Sequence, residues 1–150
     1  MAHIHSYIYF AKNLEKWLVI CFLYSGPLSV HIRPGDVFTF SSPKHPANYP
    51  ANVEMKWVFD TYANLVFRVT FEAFSLADGD FISYGSIASD NSSTTRGTLT
   101  GLVKPQDILL DIDTMWITFT SNNIGESSGF RASIQTEESN RGEIFISCFN

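Results

Sequence analysis

The chain has 150 residues, a length that suits one folded domain with tails. Its formal net charge is −5, from 10 Lys and Arg against 15 Asp and Glu with no cluster of bases, so the basic patch that a nucleic-acid partner needs is missing. Hydrophobic residues are 45% and aromatics 15% of the chain, enough for a core and weighted toward side chains that favour β-structure.

The first segment, residues 1–30, reads as a secretory signal. Trp17–Tyr24, WLVICFLY, is an uninterrupted apolar run with Lys12 and Lys16 before it and SGPLSV after it. A basic flank, a short apolar run and a small-residue exit occur in that order in secretory signals. The run is shorter than the ~20 residues of a membrane span. Secretion is therefore expected, with an uncleaved membrane anchor and a helix of the core as the alternative readings. Cleavage would remove Cys21 and leave Cys148 as the remaining thiol. The two cysteines form no CxxC or Cys/His spacing. His3 and His5 read as part of a terminus, not as metal ligands.

The proline-spaced stretch SSPKHPANYPANVEMKW, Ser41 to Trp57, comes next. Proline cannot donate to a central ladder. The segment should therefore lie extended or turned along an edge, or across the end of a sandwich, before EMKWVFD enters a sheet with Trp57 in the core. LVFRVTFEAF then alternates, with Leu65, Phe67, Val69, Phe71 and Ala73 on one face and Arg68, Thr70 and Glu72 on the other. FISYGSIA and DILLDID are further strands. MWITFTS places Met115, Ile117 and Phe119 inward, and GFRASIQ does the same with Phe130, Ala132 and Ile134. Turn signals separate them at Asp78–Asp80, Ser89–Gly97 and Ser121–Gly129. Many short strands with one buried face predict an all-β sandwich or barrel over residues 33–136.

Residues 137–150 form a C-terminal tail. Thr136–Gly142 reads as a linker that carries the pair Glu137–Glu138, and the apolar IFISCF follows. An exposed Cys148 would bridge two chains into a dimer. No G-x-S-x-G or HExxH occurs. Asp111 and Asp113 alternate along DILLDID and read as a solvated strand face, not a catalytic pair. Asn91-Ser92-Ser93 is an N-glycosylation sequon in a polar loop, so secretion would make Asn91 a glycan site.

Gly35, SPKHPANYP at Ser42–Pro50, MKW at Met55–Trp57, FEAFSL at Phe71–Leu76, ISY at Ile82–Tyr84, TG at Thr100–Gly101, WITFTSN at Trp116–Asn122 and GFRASI at Gly129–Ile134 together resemble a CUB domain. The resemblance runs from about Arg33 to Gln135. It implies a jelly-roll-like antiparallel β-sandwich. The family typically carries four cysteines in two bridges. Here the matching positions hold Met55, Ile82 and Thr100, so packing should replace the bridges. Many CUB domains also bind calcium through a Glu and two Asp, at positions matched here by Ala77, Gly85 and Asn122. The loss of those acids predicts no family-type calcium site and no cofactor; Asp78 and Asp80 lie close enough in sequence to substitute, but DGD reads as a solvated turn.

The resemblance implies a non-catalytic extracellular binding module. It would recognise a protein or glycan partner through the loops Asp78–Asp80, Ser89–Arg96 and Asn122–Ser128 and the exposed rings of Tyr49 and Tyr62. A second reading makes the chain an accessory part of a larger secreted protease or multidomain protein. A third, a small hydrolase, would rest on Asp111.

Overall fold

The computed structural model describes residues 27–139. The signal-like run, Cys21, Cys148, His3, His5 and IFISCF all lie outside them. Nine strands and no helix occur among the described residues. They are β1 (Leu28–His31), β2 (Val37–Ser41), β3 (Glu54–Asp60), β4 (Leu65–Ser75), β5 (Phe81–Ile87), β6 (Ser93–Leu99), β7 (Ile108–Leu110), β8 (Thr114–Thr120) and β9 (Gly129–Glu138). One sheet has the order β1-β3-β8-β5-β6 and the other β2-β9-β4-β7. All pairs are antiparallel except β1 with β3. The architecture is the expected all-β sandwich.

The alternating residues meet between the sheets. Trp57, Phe59, Ile82, Met115, Ile117 and Phe119 face Phe40, Phe67, Val69, Phe71, Phe130, Ala132 and Ile134 in one buried cluster. Removing this apolar surface from water is the main favourable contribution to folding. Phe130 sits at the centre, with its ring 5.5–6.1 Å from those of Phe40, Trp57, Phe71 and Phe119. No Cys occurs between residues 27 and 139, so nothing covalent ties the two sheets together. Met55 packs half-buried against the core and Ile82 is fully buried inside it. Thr100, by contrast, is exposed.

Five expectations need correction. The sheet begins at Leu28, not after residue 30, because β1 is an edge strand pairing with Trp57–Asp60; four residues are too few to show a period. Ser93–Leu99 is strand, not turn. It is an outer edge with both faces largely in solvent, so it shows no apolar alternation. β4 carries a bulge between Phe71 and Ala73, which turns Phe74 inward in place of Ala73. β7 ends at Leu110, which leaves Asp111 and Asp113 off the strand, with Asp111 accepting a hydrogen bond from Ser139 Oγ at 3.0 Å. Finally, β9 continues through Glu138, and the Arg68 guanidinium pairs with Glu137 there. That pairing holds the Glu137 carboxyl below its usual range.

Trp116 alternates outward from the core yet is only 9% exposed. Its indole lies across Gly85 on the neighbouring strand, where a Cβ would come within 2.7 Å of the ring. Glycine is what permits that close approach.

Candidate functional site

Strand direction gathers four connections at one end of the sandwich. Glu54 and Phe81 both pair with Thr120, and Ser75 pairs with Gly129. The segments 42–53, 76–80, 100–103 and 121–128 therefore meet there. The proline-spaced stretch crosses this end, and hydrogen bonds tie it down. Tyr49 N–H donates to Ser127 O at 3.1 Å, Asn52 N–H to Asn122 O at 2.9 Å, and Phe130 N–H to the buried Ser42 Oγ at 3.1 Å.

Asp80 is the hub. It is 1% exposed. One carboxylate oxygen accepts from the Tyr49 hydroxyl at 2.6 Å, and the other from the Asn122 backbone N–H at 2.8 Å. Its backbone carbonyl accepts from Thr100 Oγ1 at 2.7 Å. The Tyr49 hydroxyl in turn accepts from Ala77 N–H at 2.9 Å. Asn122 Nδ2 donates to Asp78 O at 2.8 Å, while its Oδ1 accepts from Ile124 N–H at 2.6 Å. Burial, reinforced by the hydrogen bond to Asp80 and opposed by the Ala77 amide, pushes the Tyr49 phenol up to about 12.

The sequence-predicted residues divide between the two ends. Tyr49, Asp78, Asp80 and Asn122 converge at the loop end. Tyr62 and Asn91 lie at the other: Tyr62 is 54% exposed in the β3–β4 turn, with its ring edge-on to His31 at 4.8 Å, and Asn91 is exposed in the β5–β6 turn. Two predicted surface residues are buried. Tyr49 is 1% exposed, and its ring packs edge-to-face on Phe119 at 5.1 Å. Asp80 is equally covered, because its partners arrive from other loops and a linear reading of DGD shows only a turn. Gly85, matched in the sequence to a family acid, lies mid-strand opposite Trp116, and the acid bonded to Ala77 and Asn122 is Asp80.

Sequence reasoning named the loop Asn122–Ser128 but not Ile124 within it, and it missed Leu102 and Val103 altogether. Leu102, Val103 and Ile124 are 73%, 83% and 72% exposed, and they sit on two of the loops bound to the Asp80 hub. Leu102 and Val103 follow Gly101, whose carbonyl accepts from Leu76 N–H at 2.9 Å. The available signal was the presence of large aliphatic residues inside GLVKP and SNNIGESSG, segments otherwise suited to turns.

The profile of the family described as CUB domain matches residues 35–134, more than half of the chain. The chain belongs to the CUB family. Its relatives include Tolloid-like protein 1 of Mus musculus, 30% identical over 102 residues that cover 65% of this chain and 10% of the relative. Zinc metalloproteinase nas-39 of Caenorhabditis elegans is 26% identical over 77% of this chain and 13% of the relative. The chain thus spans about a tenth of the length of these curated relatives. Among solved structures, the MASP-1 CUB2 domain bound to Ca2+ superposes with a TM-score of 0.59 at 25% identity, covering 71% of this chain and 98% of that one. The CUB1-EGF-CUB2 domain of human MASP-1/3 superposes with a TM-score of 0.61 at 22% identity, over 74% of this chain and 43% of that one. CUB domains are non-catalytic interaction modules found in extracellular proteins and proteases.

Proposed function

We propose that this CUB domain is an extracellular binding module that docks a protein partner on its loop end. One observation carries this reading. Loops pinned to a single buried hub hold three large aliphatic side chains, Leu102, Val103 and Ile124, out in water. Exposed apolar groups on a rigid frame are suited to association, because little ordering entropy remains to be lost on binding. Aliphatic tips favour a protein surface over a glycan. The test uses the secreted chain as bait in extracellular fluid. Leu102→Ser with Val103→Ser, and separately Ile124→Ser, should weaken capture of the bound partner by about tenfold or more while leaving the melting temperature unchanged. Tyr62→Ala, at the opposite end, should bind normally. Capture that survives both loop-end variants, or that fails with Tyr62→Ala, rules the loop end out.

In a secreted chain Asn91 carries an N-linked glycan. It is exposed in a turn at the end away from the Asp80 hub, so sugar there leaves the docking loops free. Treatment with an N-glycosidase should lower the apparent mass of secreted protein, and Asn91→Gln should abolish that change. Secreted protein with no such change excludes the modification.

The short coverage of the relatives favours a second reading, in which this domain is the accessory recognition part of a larger secreted protease or multidomain protein. Catalysis would then lie in other domains. A transcript that continues beyond codon 150 into a zinc-protease or EGF-like module would support it, and an immediate stop codon would count against it.

A further inference from the structure

The residues at the loop end do not fit a calcium ion. Calcium takes roughly six to eight oxygen ligands, several of them carboxylate. Around Asp80 stand the methyl of Ala77 and the neutral amide of Asn122, whose Oδ1 and Nδ2 are both engaged by backbone groups. A Cβ built on Gly125 would lie 3.1 Å from the Cβ of Ala77, so the β8–β9 loop passes close beside the Ala77 methyl. Among the described residues, no three acidic, His or Cys side chains converge anywhere. Asp78 is exposed, and only its backbone carbonyl reaches the hub.

The donors around Asp80 are instead a matched set. A buried carboxylate is costly unless it receives charge-assisted hydrogen bonds. Here each oxygen receives one, from two different loops: the Tyr49 hydroxyl from the proline-spaced segment and the Asn122 amide from the β8–β9 loop. The third loop bonds the Asp80 carbonyl through Thr100. We infer that Asp80 is a built-in replacement for a bound cation: through protein donors alone it ties together the loops of the docking end, and the CUB domain keeps that end ordered without calcium. Partner binding there is then insensitive to chelators, unlike recognition organised by an ion. The inference concerns the end used by the proposed docking reading, but it is tested without a partner, so each can fail alone.

The test is thermal unfolding of the full chain in excess EDTA and in millimolar calcium chloride, with calorimetric titration of the same protein by calcium. The expected result is one melting temperature in both solutions and no saturable heat. Asp80→Asn replaces one acceptor by a donor facing the Tyr49 hydroxyl, and should lower the melting temperature by the same amount, about 5 °C or more, in both solutions. Calcium that raises the wild-type melting temperature by more than about 5 °C would overturn the inference, since a hundredfold excess over the dissociation constant would raise it by about 10 °C. So would saturable micromolar binding. Both wild-type readouts stand even if Asp80→Asn does not fold.

Discussion

Replacing Phe130 by Ala should lower the unfolding free energy of this domain by about 3–5 kcal/mol and its melting temperature by on the order of 10–20 °C. The ring is fully buried, and four aromatic neighbours from both sheets surround it. Truncation therefore loses transfer energy and leaves a cavity that the flanking strands cannot close, since β9 is hydrogen-bonded on both edges, to β2 and to β4. Two features make the loss severe. A domain of this size has only about 5–15 kcal/mol to lose. Nor does any disulfide within residues 27–139 restrain the unfolded chain. Val37→Ala, at a position 61% exposed, should change stability by less than about 0.5 kcal/mol. Urea unfolding followed by Trp fluorescence checks both. A loss below about 1 kcal/mol for Phe130→Ala would mean that the packing centre lies elsewhere.

The second large effect is a fall in stability between pH 10 and pH 12 that belongs to Tyr49. In the unfolded chain its phenol loses its proton near 10, whereas in the fold burial and the hydrogen bond to Asp80 push it up to about 12. A group whose folded value is raised contributes fully below the unfolded value. That contribution disappears as pH climbs through the folded value, because the unfolded state sheds its proton first. The separation of the two values corresponds to about 2–3 kcal/mol, present at pH 8 and gone above pH 12. Tyr49→Phe removes it. It leaves one Asp80 oxygen and the Ala77 amide without their partner, at a cost of about 1–3 kcal/mol near neutrality. The stability gap between wild type and Tyr49→Phe should therefore be widest at pH 8 and shrink toward pH 12. Denaturation curves at pH 8, 10 and 12 measure that gap directly. A gap that stays constant across the range would exclude a raised Tyr49 phenol in the folded state as the source of the alkaline loss.

The two effects differ in how far the sequence announced them. Phe130 was legible as core, because GFRASIQ alternates strictly and its inward residues are all fully buried. The same holds for Trp57 and for Met115, Ile117 and Phe119. Alternation is a local property of a strand, and a strand with one buried face must show it. The outer edge strand Ser93–Leu99 escaped for the complementary reason: with neither face buried, it has no alternation to show. Trp116 escaped because its cover comes from Gly85 on the next strand and from Lys56, whose Nζ stands 5.7 Å from the ring centre. The bulge after Phe71 escaped because one extra residue shifts which side chains face inward without changing their types.

The amino-acid sequence by itself determined the all-β class, most of the core and the CUB family, through strand periodicity and the SPKHPANYP, FEAFSL and GFRASI blocks. It also determined that the described domain folds without internal cystines, since no Cys lies between residues 27 and 139. Only the tertiary structure decided what the polar residues do. Tyr49, Asp80 and Asn122 are separated by 31 and 42 positions along the chain, yet they share one set of hydrogen bonds. A carboxylate in a DGD turn looks solvated until three other loops close over it. Sequence spacing records how far apart residues are along the chain. Burial and hydrogen-bond partners depend on which loops the strand order brings together at one end of the sandwich, and here that order makes a turn acid the centre of the candidate site.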